Sequence, residues 1–151
     1  MSAPPRMLRA FLLAMTLLVL NSACGVEQKR SGLPAAAQAA IDNITNDLAS
    51  GDYAKIYAEA ADEWRSTSSA DESRANLERI RASLGKVLSR AQLGAQERDN
   101  ATSGDRAGHT LIVSYNTKFE RADAIETFTL VERSGRWLLA RYAVNSNALK
   151  Q

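Results

Sequence analysis

Residues 124–144 read AIETFTLVERSGRWLLARYAV, two runs rich in β-branched and aromatic residues interrupted at Ser134-Gly135. Such residues suit a pleated backbone, and a two-residue interruption ending in glycine signals a tight hairpin. The stretch therefore reads as a strand over Ala124–Arg133, a turn, and a strand over Arg136–Val144. A two-residue turn also fixes the register: Arg133 faces Arg136, Glu132 faces Trp137, Leu130 faces Leu139 and Phe128 faces Arg141. Phe128, Leu130 and Leu139 then share one face, with Glu126 a diagonal neighbour of Arg141 upon it. A bulge in the last strand would put Tyr142 there in place of Arg141.

Working upstream, Leu111, Val113, Tyr115, Thr117 and Phe119 alternate with Ile112, Ser114, Asn116 and Lys118, a half-buried strand. A tight turn near Arg121-Ala122 would set Tyr115 opposite Phe128. Val87–Arg98 is a more weakly patterned strand, separated from the next by the polar loop Asp99–Gly108. Before Gly85 the period changes to that of helices. The first helix begins near Pro34, carries the stripe Ala37, Ile41, Ile44 and Leu48, and stops at Gly51. Asp52 caps a short helix with Tyr53, Ile56, Tyr57 and Ala60 on one face, followed by Trp64. Ser69-Ala70-Asp71-Glu72 fits a capping box opening a third helix with Leu77, Ile80 and Leu84, ended by Gly85. Helices followed by an antiparallel meander predict an α+β fold, three N-terminal helices packed on a curved four-stranded antiparallel sheet. Its core would join Ile44, Leu48, Ile56, Leu77, Ile80 and Leu84 to Leu111, Val113, Phe128, Leu130 and Leu139.

Length and composition agree with one such domain: 151 residues, 45% hydrophobic and 24% charged. The one cysteine excludes an internal disulfide, and one cysteine with one histidine excludes the usual zinc sets. No cofactor or metal is expected. The net charge of +2 belongs to the leader: of 19 basic residues Arg6 and Arg9 lie there, leaving 17 against 17 acidic ones. A neutral remainder, without basic runs interleaved with aromatics, gives nucleic acid no purchase.

Residues 1–23 have the order of a signal peptide, Arg6 and Arg9 ahead of the apolar run Ala10–Leu20, which is short for a bilayer span. Asn21-Ser22-Ala23-Cys24-Gly25 then resembles the lipobox of bacterial lipoproteins. That resemblance implies acylation of Cys24 as the first mature residue; the two glycines and the charged residues that follow, with little to bury, make residues 24–33 a lipidated cysteine and flexible tether ahead of a single domain over 34–147. Free secretion with Cys24 as an incidental thiol, and an uncleaved anchor, are the alternatives. The expected location is the cell envelope, the domain facing the periplasm or cell surface on a membrane anchor.

Several stretches in order, Gly51-Asp52-Tyr53-Ala54-Lys55-Ile56-Tyr57, Glu63-Trp64-Arg65, Leu84-Gly85, Tyr115, Thr117 and Phe119, Glu126-Thr127-Phe128, and Gly135-Arg136-Trp137 before Tyr142, carry a resemblance. They are similar to a family of small bacterial envelope proteins known as a domain of unknown function, over about residues 45–147. The resemblance implies a cystatin-like or nuclear-transport-factor-like fold and brings no catalytic residues with it. Related folds serve both as pocket enzymes and as association domains.

Chemical candidates are few. His109, the sole imidazole, lies at a strand end with no nucleophile motif and reads as solvated. Asp62-Glu63 and Asp71-Glu72 suit helix starts, where negative charge meets the positive end of the dipole. Arg74, Arg79, Arg81 and Arg90 are interspersed with acids and read as a solvated face. Tyr53, Tyr57 and Trp64, at helical spacing, read as core. The remaining constellation is Tyr115, Glu126 and Arg141, a phenol, a carboxylate and a guanidinium on an otherwise apolar concave surface, where a pocket's orienting groups belong. A structural ion pair at the sheet's rim is the competing account, since arginine holds a neighbouring carboxylate ionised and makes it a poor base. The expectation is a non-enzymatic module that binds a small apolar ligand or an envelope protein. A small isomerase or dehydratase using an inward carboxylate is the alternative, and a homodimer pairing through the open sheet face is a third possibility.

Overall fold

A computed structural model describes residues 32–100 and 108–150. The leader, Cys24 and most of the tether therefore lie outside the described residues, as does the greater part of the loop foreseen at Asp99–Gly108.

The first helix, α1 (Ala35–Ser50), starts directly after Pro34 and turns Ala37 and Ile41 fully inward, with Ile44 and Leu48 half-buried beside them. Gly51 closes it at φ 80°, a left-handed conformation that costs glycine little, and the Asp52 amide reaches back to the Asp47 carbonyl at 2.9 Å. Asp52 caps α2 (Tyr53–Glu59) through its side chain. The chain then departs from the three-helix expectation. Ala60 and Ala61 are extended and almost wholly buried, and the Ala61 amide donates to the Leu139 carbonyl at 2.9 Å. This short contact with the sheet breaks the helix, so Asp62–Arg65 forms a separate single turn, α3, which drops Trp64 into the core. The Trp64 indole N–H donates to Ser73 Oγ at 2.8 Å, so its burial leaves no polar group unsatisfied. Next, α4 (Ala70–Leu84) opens with the capping box formed: Ser69 and Glu72 each receive the other's backbone N–H. Gly85 ends it at φ 81°. A β-carbon there would come within 2.6 Å of the Glu120 carboxylate, a second reason for glycine.

The sheet is an antiparallel meander in the order β1-β2-β3-β4: β1 (Val87–Asn100), β2 (Gly108–Phe119), β3 (Asp123–Arg133) and β4 (Arg136–Asn145). Arg133 pairs with Arg136 across Ser134 and Gly135, whose φ values of 51° and 75° are those of a type I′ turn. The β2–β3 turn is as tight as expected but falls one residue earlier, at Glu120-Arg121, the Phe119 amide donating to the Ala122 carbonyl, so Val113 faces Phe128 and Tyr115 faces Glu126. That shift of two residues leaves every side chain on its expected face. A 3₁₀ turn, Asn147–Leu149, follows β4. Four helices thus precede the sheet among the described residues, and none of them is long and apolar enough to cross a membrane.

The helices cover one face of the sheet, and the core divides in two. The larger cluster joins Ile41, Ile56, Trp64 and Leu77 to Leu111, Val113, Phe128, Leu130 and Leu139; the smaller joins Ile80 and Leu84 to Phe119 and Ala124. Tyr142 packs against both. All eleven core residues expected from the sequence lie in these clusters or against them.

Candidate functional site

Glu126, in the middle of β3, is completely buried. An inward carboxylate at the seam of two apolar clusters needs partners, and four donors surround it. Arg90 of β1 donates through Nε to Oε2 at 2.5 Å and through Nη2 to Oε1 at 3.1 Å. Thr117 of β2 donates to Oε2 at 2.5 Å, and the Tyr142 hydroxyl of β4 donates to Oε1 at 2.5 Å. All four strands contribute one residue each. The four lone-pair positions of the carboxylate are thereby filled, two on each oxygen.

Two β-bulges aim this cluster. In β1 the pairing steps from Val87↔Phe119 to Ser89↔Lys118, so Leu88 is an extra residue. Val87 and Arg90, of opposite parity, consequently face the same side of the sheet. In β4 the pairing steps from Leu130↔Leu139 to Thr129↔Arg141, making Ala140 the extra residue. Beyond it Tyr142 faces Phe128 and turns inward, while Arg141 lies opposite Thr129, exposed on the outer face. The pairing of Glu126 with Arg141 read from a regular hairpin is thus corrected: the bulge replaces Arg141 by Tyr142, and the cation comes from Arg90 at the other edge of the sheet. Tyr115 does lie on the Glu126 face, but its ring packs edge-on to Phe128 at 5.8 Å between centroids and donates no bond to the carboxylate. Burial pushes the phenols of both Tyr142 and Tyr115 above their ordinary range, and for Tyr142 the adjacent carboxylate pushes the same way.

Arg90, read from the sequence as part of a solvated charged face, is corrected to a partner of the buried carboxylate, and Thr117 was read only as an alternating strand residue. Thr117 carried a signal, being in phase with Tyr115 and Phe119. Arg90 carried none that alternation could reveal, because the Leu88 bulge inverts the phase of β1.

Above the cluster lies a cavity of about 270 Å³. Its walls are Leu48 of α1, Tyr53 of α2, Leu77 and Ile80 of α4 and Phe119 of β2, with Arg90, Glu126 and Tyr142 at the base. Arg81 and Lys86 stand among its lining residues beside Gly85. A more open depression of about 480 Å³ on another part of the surface is lined by polar groups including Asn116, Lys118, Asp123 and Lys150. His109 is half-exposed at the start of β2, its Nε2 at 2.5 Å from Asp99 across the β1–β2 pair, remote in register from Glu126. No group of three side chains suited to holding a metal ion forms among the described residues.

Comparison with curated proteins finds no match. Residues 39–142, running from within α1 to Tyr142 itself, match the family described as "Protein of unknown function (DUF4019)", and the chain belongs to that family.

Proposed function

We propose that the protein is a lipid-anchored component of the bacterial cell envelope whose domain binds a small apolar ligand without transforming it. The observation that carries this reading is the cavity between α1, α4 and the sheet, with apolar and aromatic walls and a few fixed polar groups at its base. The bonding of Glu126 favours binding over catalysis. A general base needs a free lone pair directed at its substrate, and each carboxylate oxygen already accepts two hydrogen bonds. The cluster reads as a fixed floor to the cavity. We also read the order of helices and sheet as a cystatin-like or nuclear-transport-factor-like arrangement, in which such a face lodges a ligand.

Membrane attachment rests on the sequence order of apolar run, Cys24 and tether. Two or three acyl chains hold far more firmly than one. Intact-mass measurement of membrane-extracted protein is expected to show an acylated Cys24 start that Cys24→Ala abolishes. The binding reading is tested by titrating the full chain with a neutral environment-sensitive dye, N-phenyl-1-naphthylamine, and repeating with Ala49→Trp, which brings a large side chain to the cavity wall. Saturable binding weakened at least tenfold by Ala49→Trp is expected; dye binding indifferent to that substitution overturns the assignment.

A further inference from the structure

Three cations line the cavity, Arg81 from the last turn of α4, Lys86 just beyond it, and Arg90 in β1. Against them the walls hold one carboxylate, Glu126, which is fully buried and committed to its four donors. Arg90 spends Nε and Nη2 on Glu126, and no bond of its Nη1 is formed among the described residues. The side chains of Arg81 and Lys86 form no salt bridge there either. Glu120 lies close to Gly85, but its carboxylate accepts the Lys86 backbone N–H at 2.8 Å. The lining is therefore apolar at Leu48, Leu77, Ile80 and Phe119 and carries two units of positive charge in excess of Glu126, of which the Glu120 carboxylate beside Gly85 offsets one at the rim.

Resting on the binding reading above, we infer that the ligand is a single-chain amphiphilic carboxylic acid, its apolar tail against Leu48, Leu77, Ile80 and Phe119 and its head between Arg81, Lys86 and Arg90. A volume of about 270 Å³ lies just below the range of drug-sized ligand pockets, roughly 300–1,000 Å³. It takes one short acyl chain and excludes a two-chain phospholipid. A neutral ligand would leave the cationic wall uncompensated in a partly desolvated place, whereas a carboxylate meets guanidinium donors in their preferred geometry.

The test uses the full chain in nanodiscs of zwitterionic lipid, following the methyl NMR shifts of Leu48, Leu77 and Ile80 during titration with decanoate and, separately, decanol. Empty nanodiscs correct for partitioning. The comparison protein is the Arg81→Gln, Lys86→Gln double variant, which leaves the Arg90–Glu126 pair intact. Decanoate is expected to bind five- to tenfold more weakly to the double variant, the scale set by two partly exposed charge pairs, while decanol is unchanged. Shortening the acid to octanoate should weaken it roughly fourfold per methylene removed. If the methyl shifts move with both probes but the double variant binds decanoate as well as the parent, the acid inference falls and the cavity reading stands. If neither probe moves these methyls, both fall.

Discussion

Glu126→Gln is the most searching perturbation of this domain. Glutamine keeps one carboxamide oxygen and presents an NH₂ in place of the other. Thr117 and Tyr142 hydroxyls can rotate to accept from that NH₂, so either contact survives. Arg90 cannot accept, and because its Nε and Nη2 approach different oxygens, one of them meets the NH₂ whichever way the amide lies. Removing one charge from a buried pair costs about 3–5 kcal/mol. The Arg90 side chain keeps 21% exposure and borders the cavity, so water reaches the abandoned guanidinium and the expected loss is at the lower end, about 3 kcal/mol. That corresponds to a fall in Tm of about 12 °C for a domain of this size. Chemical denaturation of Glu126→Gln, Arg90→Met and the double variant supplies the cycle. If the pair is the source of the cost, the double variant loses about 2 kcal/mol less than the sum of the singles. A single-variant loss below about 1 kcal/mol, or strict additivity, would refute the four-donor account of the site.

Three further outcomes follow from the same packing. Tyr142 has its phenol raised well above the ordinary value of 10.0, so above that pH the unfolded chain releases a proton that the folded chain keeps. Its contribution is complete below pH 10 and is lost as pH rises, by up to about 1.4 kcal/mol per pH unit, and Tyr142→Phe should flatten that part of a stability profile measured from pH 9 to 11. Ile80→Ala removes a nearly buried side chain that also borders the cavity, so the loss should be about 2–3 kcal/mol by urea denaturation; an unchanged midpoint would mean that α4 packs on another face. Ser134→Asn places the residue preferred by type I′ turns at φ 51° and should raise stability by about 0.5 kcal/mol, with a loss counting against the turn type.

Much of the architecture was legible because it rests on local chemistry. The Ser69–Glu72 capping box, Gly51 and Gly85 as helix stops, and Ser134-Gly135 as the hairpin turn each act within a few residues, and each is found where the spacing put it. The separate turn at Asp62–Arg65 was not legible, because it depends on Ala61 bonding to Leu139 on a distant strand. Glu126 and Tyr115 were placed on the correct face by alternation. The partners of Glu126 were not, because Leu88 and Ala140 are ordinary residues at which nothing local marks a bulge, neither glycine nor proline.

Those two bulges also set how the strands should tolerate change. In β4 the inward positions are odd before Ala140, as at Trp137 and Leu139, and even after it, as at Tyr142 and Val144. A saturation scan along this strand should show sensitivity recurring every second residue with a phase jump at position 140. Drawing Ala140 into regular pairing, with the chain length unchanged, would rotate the distal half by one pleat, carry Arg141 to the carboxylate and expel Tyr142 to solvent, so that the floor of the cavity would exchange a phenol for a second guanidinium. Deleting Ala140 would instead leave Arg141 opposite Thr129 and Tyr142 opposite Phe128, so the strand should bear the loss of this residue while keeping its inward set.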